Sequence, residues 1–179
     1  SETGEIDRLD GLYLLVLVVL AAPAGAAIPV PGKGEAPLHV VPIDFVARAA
    51  HAIGLVPGAA GQTFHLADPA PLSARSVFDL VARAGGRRAT RSHIPANVAK
   101  ALLKAPGVER FARSPRHFVE QLTSAVRYDT KNADAALRPL GITCPPFESY
   151  AERLVAVAQD HVRARKERRE DEGVEDPLL

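Results

Sequence analysis

The sequence predicts a mostly helical α+β domain with two or three short strands. Within residues 37–86, a strand followed by a capped helix occurs twice in succession, and the chain beyond residue 86 is largely helical in pattern. A length of 179 residues with 47% hydrophobic and 24% charged residues fits one folded unit with its own core.

The apolar run from Leu12 to Ala22 predicts a buried core helix. A membrane-spanning helix needs about 20 apolar residues, whereas this run meets Pro23 after roughly a dozen. Acidic residues precede the run, which disfavours a signal peptide. Asp10 is placed to cap this helix and Pro23 to end it. Residues 24–37 are rich in proline and glycine and predict an irregular connection.

The two strand-and-helix units follow this connection. Residues 38–41 predict a short strand, and Asp44 the N-cap of a helix that ends at Gly54. Residues 63–67 predict a second strand. Ser73 is the predicted N-cap of the next helix, which two consecutive glycines end.

The second half predicts helices separated by turns. Short helices are expected over residues 96–103 and 108–112 and after Pro115. Another, capped by Thr130 or Asn132, is expected to end near Gly141.

A last helix is expected from Phe147 to Val162, with one apolar face. The strongly charged residues 163–179 that follow predict a frayed tail, so the folded unit is assigned to residues 1–162.

Three segments carry a resemblance to a known family: HVVPIDFVARAA (39–50), GQTFHLADPAPLSARSVFDLV (61–81) and VRYDTKNADAALRPLGI (126–142). In this order they resemble the C-terminal portion of an extended short-chain dehydrogenase/reductase, of the NAD-dependent epimerase/dehydratase or thioester-reductase-like type. The resemblance implies that the α+β chain is a fragment of an α/β parent with a Rossmann-type fold.

The resemblance also implies a function for the parent. It would be an NAD(P)-dependent oxidoreductase or epimerase, bacterial and cytoplasmic, acting on a carbonyl, alcohol or acyl-thioester substrate. The family's Gly-x-x-Gly-x-x-Gly turn and Tyr-x-x-x-Lys pair do not occur in this sequence. No catalytic residue is therefore assigned, and no cofactor is expected on this portion alone. NAD or NADP, and the chemistry, would belong to a missing N-terminal nucleotide-binding half.

Four residues are singled out as candidates. By the resemblance, His39 and Val41 lie on a strand beside the substrate; the alternative for His39 is a partly exposed strand histidine without a ligand. Asp44 and Ser73 are interpreted as structural helix caps. The six histidines and the single Cys144 lack the spacing of a metal site, so no metal is predicted.

The expected partners are the missing half and a small-molecule or acyl-carrier-bound substrate. A net charge of +1 gives no field that would attract nucleic acid or an anionic membrane. Without the missing half, exposed strand edges and apolar surface favour self-association. The alternative is a non-enzymatic interaction module that docks through the helix from Leu12 to Leu20; a third possibility places that helix on a membrane surface.

Overall fold

The computed structural model describes residues 2, 11–23, 27–31, 34–94 and 124–174. The helices and strands are α1 (Leu12–Ala21), β1 (Ala27–Pro31), α2 (Ile43–Gly54), α3 (Ala74–Ala84), β2 (Arg88–Ile94), α4 (Lys131–Leu137) and α5 (Ala151–Val174). Short 3₁₀ turns span Arg138–Leu140 and Phe147–Ser149. The described residues are mostly helical, as predicted. The helices expected over residues 96–103 and 108–112, the helix expected after Pro115 as far as residue 123, and the Asp10 cap lie outside the described residues.

The first core forms where α1 packs against α3 and α5. Val16 and Val19 of α1 are completely buried, in agreement with the prediction of a core helix. They meet Val77 and Val81 of α3, which repeat at helical spacing on one face. None of the described helices is both long enough and apolar enough to cross a membrane.

The second core lies between α2 and α4. Phe45, Ala49 and Ile53 form one face of α2 and pack against Ala133 and Leu137 of α4. The residues of each helix are three or four apart, so a single apolar stripe on each side builds this core.

An extended segment, residues 34–42, joins the two cores. The backbone N–H of Leu38 donates to the carbonyl of Leu72 at 2.8 Å, and Pro37 forms an isolated antiparallel bridge with Ser73. The Tyr150 hydroxyl donates to the carbonyl of Val40 at 3.3 Å. The strand predicted over residues 38–41 is therefore extended chain without a ladder, because a loop and a tyrosine supply its backbone partners.

The strand predicted over residues 63–67 is also absent as a ladder. This segment is extended, but the carbonyl of Thr63 accepts from the side chain of Asn132 at 3.0 Å instead of from a neighbouring strand. Its apolar residues Phe64 and Leu66 alternate toward the second core, which explains the strand-like sequence pattern.

The two strands that do form were not predicted. β1 and β2 pair in parallel, with Ala27 opposite Arg88 and Pro31 opposite Ile94, and the register shifts between Ile28 and Val30. The sequence indicated a loop at β1 because two of its five residues are proline. Proline is tolerated on an edge strand, where its missing N–H is not needed by a partner.

Two predicted boundaries shift. Helix α2 begins at Ile43 with Pro42 at the N-cap, so Asp44 lies in the first turn rather than at the predicted N-cap position, and its charge favours the helix N-terminus. Helix α5 continues to Val174 through the segment that was predicted to fray after Val162. An Arg163–Asp160 contact of 3.8 Å along the helix accompanies this continuation.

Helix α3 has the start that the sequence predicted and an end that holds α1. Ser73 is its N-cap, and the Ser73 hydroxyl oxygen accepts from the backbone N–H of Ser76 at 3.1 Å. At the other end, Gly86 has φ +71°, and the N–H groups of Gly86 and Arg87 bond to the carbonyls of Arg83 and Ala82. This is a Schellman motif, which requires a left-handed residue where glycine stands.

The Schellman turn places the Arg87 guanidinium at the C-terminal end of α1. It donates to the carbonyls of Leu20 and Ala22, both at 2.8 Å, and to the carbonyl of Gly85. A helix leaves its last carbonyls without backbone partners, and α1 has no basic residue in its own last turn. One side chain therefore satisfies the ends of two helices.

We expect Arg87→Ala to lower the free energy of unfolding by at least about 2 kcal/mol, because one hydrogen bond from a charged donor contributes about 1.5–3 kcal/mol to stability. Arg87→Lys should recover only part of this loss, since an ammonium cannot reproduce the planar fork. Urea denaturation measures both changes.

Arg83→Ala is the matched control. Arg83 is exposed and its Nε donates only to the carbonyl of Asp79 within its own helix. Equal losses from Arg83→Ala and Arg87→Ala would contradict the capping role of Arg87.

Candidate functional site

A cleft of about 200 Å³ opens beside the second core. Its floor is apolar and is formed by the almost fully buried Phe45 and Leu137, and polar side chains also line the cleft. The lining residues are Phe45, His65, Ala67, Pro69, Thr130, Ala133, Asp134, Leu137, Arg138, Ile142, Thr143 and Cys144. An apolar floor below a few polar groups is the usual composition of a small-molecule site.

Three parts of the chain build the cleft. The Asn132 side chain in α4 donates to the Thr63 carbonyl, and this bond anchors the helix on the extended segment 63–67. At the other end of α4, Gly141 adopts φ +67° and the N–H of Ile142 bonds to the carbonyl of Leu137 at 3.2 Å. This turn brings residues 142–144 back along the helix as a wall.

Two charged side chains lie one helical turn apart in the lining. The Thr130 hydroxyl donates to Oδ2 of Asp134 at 2.9 Å. The N–H of Arg138 bonds to the carbonyl of Asp134, so the two side chains share a helix face. Within the described residues, no ion pair joins them and no hydrogen bond engages the Arg138 guanidinium.

The Thr130–Asp134 bond has an energetic reason. Thr130 is buried, 9% exposed, and leaving its hydroxyl unpaired would cost about 1–3 kcal/mol. This bond uses only Oδ2 of Asp134, and the Arg138 side chain is exposed at the rim of the cleft.

Cys144 lines the cleft as a protonated thiol. Burial, and secondarily the nearby Asp68 carboxylate, raises the pKa of Cys144 to about 11. Its sulfur contacts the Pro145 carbonyl at 3.7 Å. A thiol with this pKa is a poor nucleophile at neutral pH.

A cluster of three rings borders the cleft. The Tyr128 ring lies 5.0 Å from the His39 ring and 5.6 Å from the His65 ring, centroid to centroid. Nε2 of His39 is 3.1 Å from the Val126 carbonyl, and Nδ1 of His65 is 3.1 Å from the Asp129 carbonyl. The two histidines thus hold residues 126–129 against the rest of the fold.

Neighbouring groups lower the pKa of the Asp129 carboxyl. The backbone N–H of Lys131 donates to its carboxylate at 3.0 Å, and this bond lowers the pKa of Asp129 although the residue is exposed. The Lys131 ammonium, 3.6 Å away, and His65 act in the same direction. The carboxylate therefore stays ionised and fixes the entry to α4.

The substrate-facing residues predicted from the resemblance lie near the cleft but do not line it. His39 belongs to the ring cluster, and Nδ1 of its ring is buried without a hydrogen-bond partner. Val41 is half-buried against the second core. The sequence reasoning missed Asp134 and Arg138, although their spacing to Thr130 on a predicted helix was a usable signal.

Among the described residues, no group of three or more metal-ligating side chains comes together. Comparisons with protein-family models, curated proteins and solved structures found no match to this chain. The site is therefore interpreted from its own residues.

We expect Cys144 to react slowly with iodoacetamide. At pH 8 a thiol with a pKa of about 11 is roughly 0.1% thiolate, against roughly a quarter for an ordinary thiol. Alkylation of the folded chain at pH 8 should be about two-hundredfold slower than in concentrated urea, and should speed up about tenfold per pH unit. Comparable rates in the folded and unfolded chains would contradict the raised pKa.

The raised pKa of Cys144 also makes the free energy of unfolding depend on pH. The folded chain holds the Cys144 proton more tightly than the unfolded chain, so this contribution is complete below about pH 9 and falls as the pH rises toward about 11. Burial raises the pKa of Tyr13 and of Tyr150, which act in the same direction.

We expect His39→Ala and His65→Ala each to destabilise the chain by about 1 kcal/mol through loss of one hydrogen bond and one ring contact. Because both rings contact Tyr128, the double variant should deviate from additivity by about 0.5 kcal/mol. Urea denaturation of the single and double variants measures this coupling. His161→Ala, an exposed change on α5, is the control, and strict additivity would mean that Tyr128 does not couple the two rings.

Proposed function

We propose that this chain is the substrate-binding part of an NAD(P)-dependent oxidoreductase or epimerase of the extended short-chain dehydrogenase/reductase family. The parent enzyme acts on a carbonyl, alcohol or acyl-thioester substrate in the cytoplasm. The nucleotide and the proton-transferring residues are supplied by another, N-terminal part of that enzyme, and the cleft holds the part of the substrate that does not react.

One observation carries this proposal: the three segments that resemble the family meet in space. Residues 39–50 and 126–142 are joined by the His39–Val126 bond, across 87 positions in the chain. Residues 61–81 and 126–142 are joined by the bonds of His65 and Asn132, across 64 and 69 positions. Segments that form a substrate side in one family are expected to come together in this way.

The tyrosines of this chain do not carry the family's proton-donor motif. The residues four positions after Tyr13, Tyr128 and Tyr150 are leucine, asparagine and leucine, so none forms a Tyr-x-x-x-Lys pair. Burial raises the pKa of Tyr150, and its hydroxyl is committed to the Val40 carbonyl. Such a phenol stabilises the fold but is not a proton donor to substrate.

The rival proposal, an interaction module that docks through α1, has less support. Leu15, Val16 and Val19 of α1 are already buried against α3 and α5. Docking through the face they form would require α1 to leave the first core, with loss of its apolar contacts.

The test combines a titration of the chain with nicotinamide nucleotides and an examination of the gene that encodes it. We expect calorimetry with NADH and NADPH to show no binding to this chain, because no phosphate-binding glycine turn is present in its sequence. The reading frame preceding the Ser1 codon should encode a strand, a glycine-rich turn and a Tyr-x-x-x-Lys pair. Micromolar nucleotide binding by this chain alone, or a start codon directly before Ser1, would count against the proposal.

A further inference from the structure

The cleft combines an apolar floor with two opposite charges that do not neutralise each other. Phe45, Leu137 and Ile142 provide apolar surface. Oδ2 of Asp134 is engaged by Thr130, while its second carboxylate oxygen has no partner among the described residues. The Arg138 guanidinium is likewise uncommitted in the described part of the chain, and all five of its donors are available.

The charge pattern selects among ligand classes. A simple anion would bind Arg138 but face the Asp134 carboxylate, and a simple cation would bind Asp134 but face Arg138. A ligand that carries both charges close together satisfies both side chains. Asp134 and Arg138 lie four residues apart on one helix face and both line the cleft, so a single small ligand can reach both charges.

We infer that the cleft binds a dipolar α-amino-acid group, with its ammonium on Asp134, its carboxylate on Arg138 and an apolar side chain over Phe45 and Leu137. Arginine suits this role because its fork binds a carboxylate with two parallel hydrogen bonds. The description of this ligand as part of a substrate rests on the proposed function. Binding itself is a property of this chain alone.

Cys144 provides the measurement, because it is the only cysteine of the chain and lines the cleft. The probes are leucine, leucinamide, N-acetylleucine and N-acetylleucinamide, which share one side chain and carry both charges, the positive one, the negative one and neither. At pH 7 each is tested for protection of Cys144 against N-ethylmaleimide. Amide chemical shifts of Ile142 and Thr143 report binding that leaves the thiol accessible.

We expect leucine to slow the modification saturably at millimolar concentration and the other three probes to be about tenfold weaker. Arg138→Gln and Asp134→Asn should each weaken leucine by about fivefold, the effect of losing about 1 kcal/mol. Asparagine still accepts from Thr130, so Asp134→Asn preserves the local fold. Arg127→Gln, at an exposed arginine outside the cleft, should change nothing.

Each other outcome overturns the inference. Equal protection by N-acetylleucinamide would show a purely apolar cleft, and a preference for either singly charged probe would show a one-ion site. No protection and no shift with any probe would show that the cleft does not bind this group. These results leave the nucleotide titration and the reading frame unaffected, so failure here is distinguishable from failure of the proposed function.

Discussion

The position of helix α1 depends on one arginine. The Schellman turn after α3 requires glycine at position 86, and this turn delivers Arg87 to the open end of α1. The same approach brings α1 so close that a Cβ on Gly85 would lie 3.3 Å from Cγ1 of Val19. Two glycines and an arginine in sequence thus set both the distance and the orientation of the helix pair that starts the first core.

The extended segment 34–42 connects the first core to the cleft. Its N-terminal half is bonded to the start of α3, and its Val40 carbonyl is bonded to Tyr150, whose ring packs edge-on against Phe147 in the first core. The segment then leads directly into α2, which carries Phe45 to the cleft floor. The cleft geometry therefore depends on the first core, although no residue of that core lines it.

Local signals were enough to predict some elements. Helix α3 has a side-chain cap, one apolar stripe and two terminal glycines, so its limits follow from neighbouring residues. The β1–β2 pair could not be predicted in this way, because its proline-containing strand is defined only by a partner about 60 residues away along the chain. The cleft shows the same division. Thr130, Asp134 and Arg138 follow from helix spacing, whereas their meeting with Phe45 and His65 depends on tertiary contacts.

The guanidinium groups of Arg87 and Arg138 differ in how far the fold uses their hydrogen-bond donors. Arg87 donates to helix-end carbonyls that have few other partners, so its hydrogen-bond donors are used within the fold. Arg138 stands one turn from the Asp134 carboxylate, whose Oδ2 accepts from the buried hydroxyl of Thr130. Among the described residues, neither the Arg138 guanidinium nor the second Asp134 oxygen has a partner. That is the physical condition for a binding site, because only uncommitted polar groups can gain from a ligand.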